Sequence, residues 1–291
     1  MKYLFIFLSC AILLKIQSCK PEPIDLIVAQ NPQKLAVSSQ LVNSSLLGVS
    51  ISKTFEALQV KNSGIDSNGF NFDTSLLVGN AQVLLKSDNY SIQLVEIEKG
   101  IYGTETALIN DLTNYQLEVI IDGKLALMAE AKKLVKTNFD SVFVYKLKNS
   151  NEVKVYYSLT DNMAEQNFYV VNYFIKNKKD DISQQPTPEL IAKRMLEQNI
   201  SFDLLTDVDF KNGKYQIEKL ITSNHPSDTF AISVSNISKG YFDFLVAQKR
   251  AGTLFNQLRG EVINFPTNIK NGYGYFQLSE PDLRILDIYK Q

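Results

Sequence analysis

The chain has 291 residues, with 30 basic and 31 acidic side chains, one histidine, two cysteines and no tryptophan. A balance this close to neutral, without a basic run, gives no electrostatic footprint for nucleic acid and no polybasic patch for anionic lipid. The length is sufficient for a large core, because the buried fraction rises with chain size.

The first element is a leader. Met1-Lys2 precedes an apolar run from Tyr3 to Leu14, followed by Lys15 and Ile16-Gln17-Ser18-Cys19. A basic start, a short apolar stretch and a small residue before the cut describe a secretory signal over residues 1–18. The run is too short to span a bilayer, which takes ~20 apolar residues. The cysteine after Ser18 resembles the lipobox of bacterial lipoproteins, which implies lipidation at Cys19. A cut before Cys10 would leave too short an apolar core. Removal of Lys2 and Lys15 leaves 28 basic against 31 acidic residues, a net charge of −3. No cysteine pair then remains for a disulfide. Residues 19–33, with Pro21, Pro23 and Pro32, read as lipid anchor and tether.

Residues 34–135 read as strand after strand. Leu41-Val42, Val49–Ile51, Ala81–Leu85, Tyr90–Leu94, Gly100–Tyr102, Tyr115–Ile121 and Lys124–Ala129 are the candidates. Asp122-Gly123 between the last two is a strong hairpin signal. Seven short strands in about a hundred residues predict an immunoglobulin-like β-sandwich.

Residues 136–291 read as a second β-rich domain carrying about two short helices. Ser141–Leu147, Val153–Leu159 and Phe168–Ile175 are rich in Val, Tyr and Phe, as pleated surfaces prefer. Thr187-Pro188-Glu189 has the chemistry of a helix start, predicting a helix near 188–198. Asn212-Gly213 predicts a hairpin between Phe210 and Lys214–Ile217, and Phe230–Val234 alternates as a strand. Ile237, Tyr241, Phe244 and Leu245 fall at helical spacing and predict a helix near 236–251. Arg284–Tyr289 predicts a final strand.

The stretch Phe265–Phe276 lies between these last two elements. Gly272 and Gly274 alternate with Tyr273 and Tyr275, so the glycines share one strand face and the tyrosines the other. A bare face lets another backbone approach. The stretch therefore reads as a closing strand laid against something earlier in the chain. Tyr273 and Tyr275 are either core or a binding edge.

Chemistry-bearing constellations are sparse. His225, the single histidine, sits between Asn224 and Pro226, and no Gly-x-Ser-x-Gly elbow accompanies it. With no thiol beyond the lipidated one, His/Cys zinc sites and Cys-His nucleophiles are excluded. Asp66–Gly69 with Asp73, and Asp207-Val208-Asp209 before Asn212-Gly213, offer oxygen ligands, but neither matches the calcium-loop spacing and Asn-Gly turns account for both. No catalytic residue, metal or cofactor is assigned. A carboxylate pair for hydrolysis depends on three-dimensional spacing and stays open.

Several islands, in this order and spacing, carry a resemblance: Val78–Val83, Gly100–Tyr102, Tyr115 with Asp122–Lys124, Asp140–Val142, Glu165–Tyr169, Phe202-Asp203, Asn212-Gly213 and Pro266–Phe276. With the lipobox they resemble uncharacterised domain-of-unknown-function lipoproteins of Bacteroidota, commonly encoded beside TonB-dependent outer-membrane transporters. Two departures are Asn271-Gly272 in place of a Gly-Gly pair, and Gln277-Leu278 in place of small residues. The resemblance implies a cell-envelope, outer-membrane lipoprotein, periplasmic or surface-facing, with a transporter as partner and no defined reaction. The expected function is a lipid-anchored, non-enzymatic accessory or binding protein. The alternatives are a stand-alone surface adhesion or binding module and, third, a carboxylate-dependent hydrolase.

Overall fold

The computed structural model describes residues 33–54, 74–88, 90–104, 109–147, 152–176, 201–222, 229–251 and 264–288. The chain divides into Met1–Pro32 and Gln33–Gln291, and the described residues all lie in the second unit. They are mainly β, as their alternating Val, Ile, Leu and Tyr require. The helix expected near 188–198 lies outside the described residues.

All seven strands expected in the first part form: β1 (Leu35–Asn43), β2 (Leu46–Lys53), β3 (Gln82–Lys86), β4 (Ser91–Glu98), β5 (Ile101–Thr104), β6 (Asn114–Ile121) and β7 (Lys124–Lys132). Asp122 and Gly123 both take positive φ, 49° and 71°, the turn that matches the twist of β6 and β7. Alternate residues point into one core, including Val37, Leu41, Val49, Ile51, Val83, Leu85, Leu117, Val119 and Leu127. Each such fully buried side chain contributes roughly 1.5–3 kcal/mol. The two layers are not separate sheets, because β4 belongs to both. Its residues from Ser91 to Leu94 pair with β3, and from Val95 on it pairs with β5, with a bulge between Glu96 and Glu98.

The other end is closed by the stretch singled out in the sequence. β14 (Ile269–Lys270) pairs antiparallel with β7, and β15 (Gly272–Tyr275) pairs parallel with β1, Leu35 opposite Gly272. Asn271, at φ 67°, makes the step between them. The sheet order β14-β7-β6-β3-β4-β5-β2-β1-β15 thus begins and ends on chain neighbours, and the barrel-like sheet is nearly closed. Gly272 and Gly274 lie hard against β1, as a bare strand face allows. A Cβ on Gly272 would sit 2.6 Å from Leu127 Cδ1 and 2.8 Å from Leu35 O, and one on Gly274 would collide with Val37 O. Asn268 fastens the segment: its Nδ2 donates to Glu130 O at 2.8 Å and Phe276 O at 2.7 Å, and its Oδ1 accepts from Phe276 N at 2.9 Å. Residues 269–275 therefore complete the sandwich of residues 34–135 from beyond the 135/136 boundary.

The second part is another sandwich. β8 (Phe139–Lys146), β9 (Glu152–Thr160) and β12 (Lys214–Thr222) form a three-stranded sheet in the order β12-β9-β8. β10 (Phe168–Lys176), β11 (Ser201–Thr206), β13 (Thr229–Ile237) and β16 (Asp282–Asp287) form a four-stranded sheet in the order β11-β10-β13-β16. Val144, Val155, Tyr157 and Leu159 meet Val171, Tyr173, Phe230, Ile232 and Val234 between the sheets. Charges tie both edges. Lys219 on β12 donates to Asp203 on β11 at 2.5 Å, and the Asp282 carboxylate on β16 accepts Phe139 N of β8 at 2.9 Å and Arg284 Nε at 3.1 Å. Asn212 and Gly213 form the expected turn, but only Lys211 and Lys214 pair across it, because β12 takes β9 as its partner.

Among the described residues there is one α-helix, α1 (Lys239–Ala251). It starts three residues later than the sequence reading placed it. Ser235, Asn236 and Ile237 instead extend β13 opposite Val170, Tyr169 and Phe168, and Ser238 caps the helix through Oγ to Tyr241 N at 3.2 Å. Leu245 and its neighbours cover the outer face of the four-stranded sheet against Phe168, Val170 and Ile237.

Candidate functional site

Tyr273 and Tyr275 lie on the outer face of β15 but meet different surroundings. Tyr275 packs against Tyr241 and Phe244 of α1, with ring centroids 5.2 and 5.7 Å apart. Phe244 continues the contact to Phe265 at 5.9 Å. Burial, with the Tyr275 hydroxyl nearby, raises the Tyr241 hydroxyl from its ordinary value to about 12. Tyr273 stays 46% exposed, and Lys34 Nζ stands 5.0 Å above its ring. Tyr275 is therefore a packing residue, whereas Tyr273 remains about half exposed.

A second aromatic surface escaped the sequence reading. On the outer face of the three-stranded sheet, register places Phe143 beside Tyr156 and Glu218, and Tyr145 beside Lys154 and Leu220. Phe143, Tyr145 and Leu220 are 48, 53 and 52% exposed. The rings of Phe143 and Tyr156 lie 6.4 Å apart, and Lys154 pairs with Glu218 at 2.6 Å. Ser141 and Ser158 share a hydrogen bond at 2.7 Å in the next row. Aromatic side chains displayed together on a rigid sheet have the composition of an interface anchor. The available signal was the β8 alternation, in which Val142 and Val144 alternate with Phe143 and Tyr145, so neither face is polar.

The carboxylates near these sheets are engaged. Asp203 accepts from the Tyr173 hydroxyl at 2.7 Å as well as from Lys219, and the Tyr157 and Tyr173 hydroxyls meet at 2.9 Å. Asp161 accepts from Tyr169 at 2.5 Å and from Asn167 Nδ2 at 3.1 Å. Desolvation by burial raises the hydroxyl pKa values of Tyr157, Tyr169 and Tyr173 well above the ordinary phenol value. These groups form a satisfied polar belt inside the second sandwich. Asp207 and Asp209, considered as calcium ligands, serve the backbone instead. Asp207 Oδ1 accepts Asn167 N at 2.8 Å and Asp209 Oδ2 accepts Thr206 N at 2.7 Å. Among the described residues no cluster of three His, Cys, Asp or Glu could hold a metal ion. Cys19, Asp66, Asp73 and His225 lie outside the described residues.

One open polar groove of about 520 Å³ lies at the ends of β3, β6 and β7, lined among others by Lys86, Asp88, Asn114, Gln116, Glu130 and Lys132. Two of its charges are already paired, Lys86 with Glu118 at 2.6 Å and Glu130 with Lys270 at 3.2 Å.

No match to the chain is found among curated proteins. A solved structure, that of a DUF3823 family protein from Bacteroides ovatus ATCC 8483, is similar at 13% identity. The match covers 55% of this chain and 81% of that one, with a TM-score of 0.23. Residues 21–282 match the family described as Domain of unknown function (DUF4249), and over that span the chain belongs to it.

Proposed function

We propose that this chain is a lipid-anchored, non-enzymatic accessory or binding protein of the outer membrane. Cys19 would carry the lipid, and the partner would be a TonB-dependent transporter or another surface complex. The observation that supports a binding role is the aromatic face on β8 and β9, where exposed Phe143 and Tyr145 adjoin partly buried Tyr156. Anchors of this kind each contribute ~2 kcal/mol or more to a protein interface, roughly 30-fold in affinity.

The test is affinity purification of the full-length protein from detergent-solubilised envelopes, beside a Phe143→Ser/Tyr145→Ser variant. The wild type should retain an outer-membrane transporter, and the variant should lose it while melting at an unchanged temperature. Equal retention by both proteins, or no retained envelope protein, would refute the reading. Labelled fatty acid should enter wild type and not Cys19→Ser, which should leave the membrane fraction.

A further inference from the structure

We propose that the strip formed by Lys34, Tyr273, Tyr275, Phe244 and Phe265 rests in the headgroup layer of the membrane that holds the lipid anchor. The inference depends on lipidation at Cys19 and adds a contact made by the folded sandwich itself.

Position is the first argument. Lys34 is the residue at which the chain arriving from Cys19 enters the first sandwich, and its ammonium lies over the Tyr273 ring at 5.0 Å. Between Cys19 and Lys34 there are 14 residues, which span at most ~50 Å when fully extended. On a lipidated chain the strip is thus tethered within that length of the anchor, so a contact with the bilayer forms intramolecularly, at a raised effective concentration.

Chemistry is the second argument. Tyrosine, with an apolar ring and a polar tip, concentrates at the membrane–water boundary, and lysine reaches from the same depth toward phosphate. Tyr273 is 46% exposed and Phe265 41%, and half-buried Tyr275 and Phe244 join them into one strip. The backbone beneath cannot yield, because Gly272 and Gly274 are packed against β1. The rings are thus presented by a fixed edge. Lys34 is the one cation of the strip, so the contact runs through the aromatic rings. Binding should change little with salt or with the fraction of anionic lipid.

The absence of tryptophan makes the test direct. Tyr273→Trp places a single indole on the strip, Phe265→Trp is a second reporter should the first disturb β15, and Tyr145→Trp reports from the other sandwich. Each full-length lipidated protein is reconstituted into phosphatidylethanolamine–phosphatidylglycerol vesicles, with and without lipids brominated near the top of the acyl chains. Emission from the two strip variants, Tyr273→Trp and Phe265→Trp, should be blue-shifted relative to the same proteins carrying Cys19→Ser without vesicles. Bromolipid should quench that emission equally at low and high salt. Emission from the Tyr145→Trp variant should not change. If the proteins float with vesicles while both strip indoles keep water-exposed, unquenched emission, the inference is overturned and the anchor stands. Should these indoles become shielded only on addition of solubilised envelope protein, the strip belongs to a protein partner and the membrane contact is refuted. If wild type fails to float, both the anchor and the strip contact fall.

Discussion

The main-chain carbonyl of Val37 occupies the place that a side chain on Gly274 would take. Gly274 also sits at φ 88°, where other residues are strained. Gly274→Val should therefore destabilise by ~3 kcal/mol or more, since overpacking costs ~1–3 kcal/mol before backbone strain is counted. Equilibrium denaturation with urea would measure it. A Gly274→Val protein with the midpoint of wild type would contradict the close packing of β15 on β1.

The two tyrosines on the opposite face should separate. Tyr275→Ser removes the ring contacts to Tyr241 and Phe244, a loss of ~2 kcal/mol. In a chain of this size that lowers Tm by roughly 4–8 °C. Tyr273→Ser, half exposed, should stay within ~0.5 kcal/mol of wild type. Paired thermal melts decide this, and equal losses for both would remove the distinction drawn between them.

At the joint between the sandwiches Lys133 is only 1% exposed, and its ammonium lies 2.5 Å from Asp111 and 3.3 Å from Glu280. Glu280 also pairs with Lys136 at 3.0 Å. Breaking a buried pair from one side leaves an uncompensated charge, so Lys133→Met should cost ~2–4 kcal/mol, with exposed Asp111 keeping it at the lower end. Glu280→Gln in the same chain should recover part of that loss. A double-mutant cycle with additive effects would show that the two groups do not interact.

Alkali should unfold the protein through its buried phenols. The hydroxyl of Tyr241 is raised from 10 to about 12, and those of Tyr157, Tyr169 and Tyr173 are raised as well. Above pH 10 the unfolded chain gives up these protons while the folded chain keeps them. Their contribution is therefore complete below pH 10 and is lost as pH rises through the folded-state values. Melting temperature should fall steeply between pH 10 and 12, and Tyr241→Phe should soften the fall. A flat profile across that window would count against these burial effects.

Local chemistry made much of the fold legible, and its failures have physical causes. Asp122-Gly123 specified its hairpin because few other pairs accept two positive φ values. Many of the islands behind the family resemblance are structural joints. Tyr102 donates to Val78 O at 2.9 Å and accepts from Ala81 N at 3.0 Å, so two islands are one contact. Strand β11 was hidden because Asp203 interrupts its pattern on the inner face, a position made tolerable by Lys219 and Tyr173 from other strands. Tyr273 and Tyr275 share a face by alternation, yet only the packing of α1 settles which of them is covered. The Phe143–Tyr145 face was illegible for a similar reason. Val142 and Val144 are equally apolar, and the choice of inner face depends on a sheet that comes later in the chain.

The pairing of Leu35 with Gly272 sets the order in which the molecule can be finished. A chain emerging from its N-terminus makes β1 through β7 early, but the free edges of β1 and β7 wait for residues 269–275. During that interval the whole second sandwich must be produced, while two unpaired edges remain open to other chains. Pairing over such a separation also places the protein among slow folders. Loss of even the last few dozen residues would leave the first sandwich, more than a hundred residues upstream, as an open and adhesive sheet.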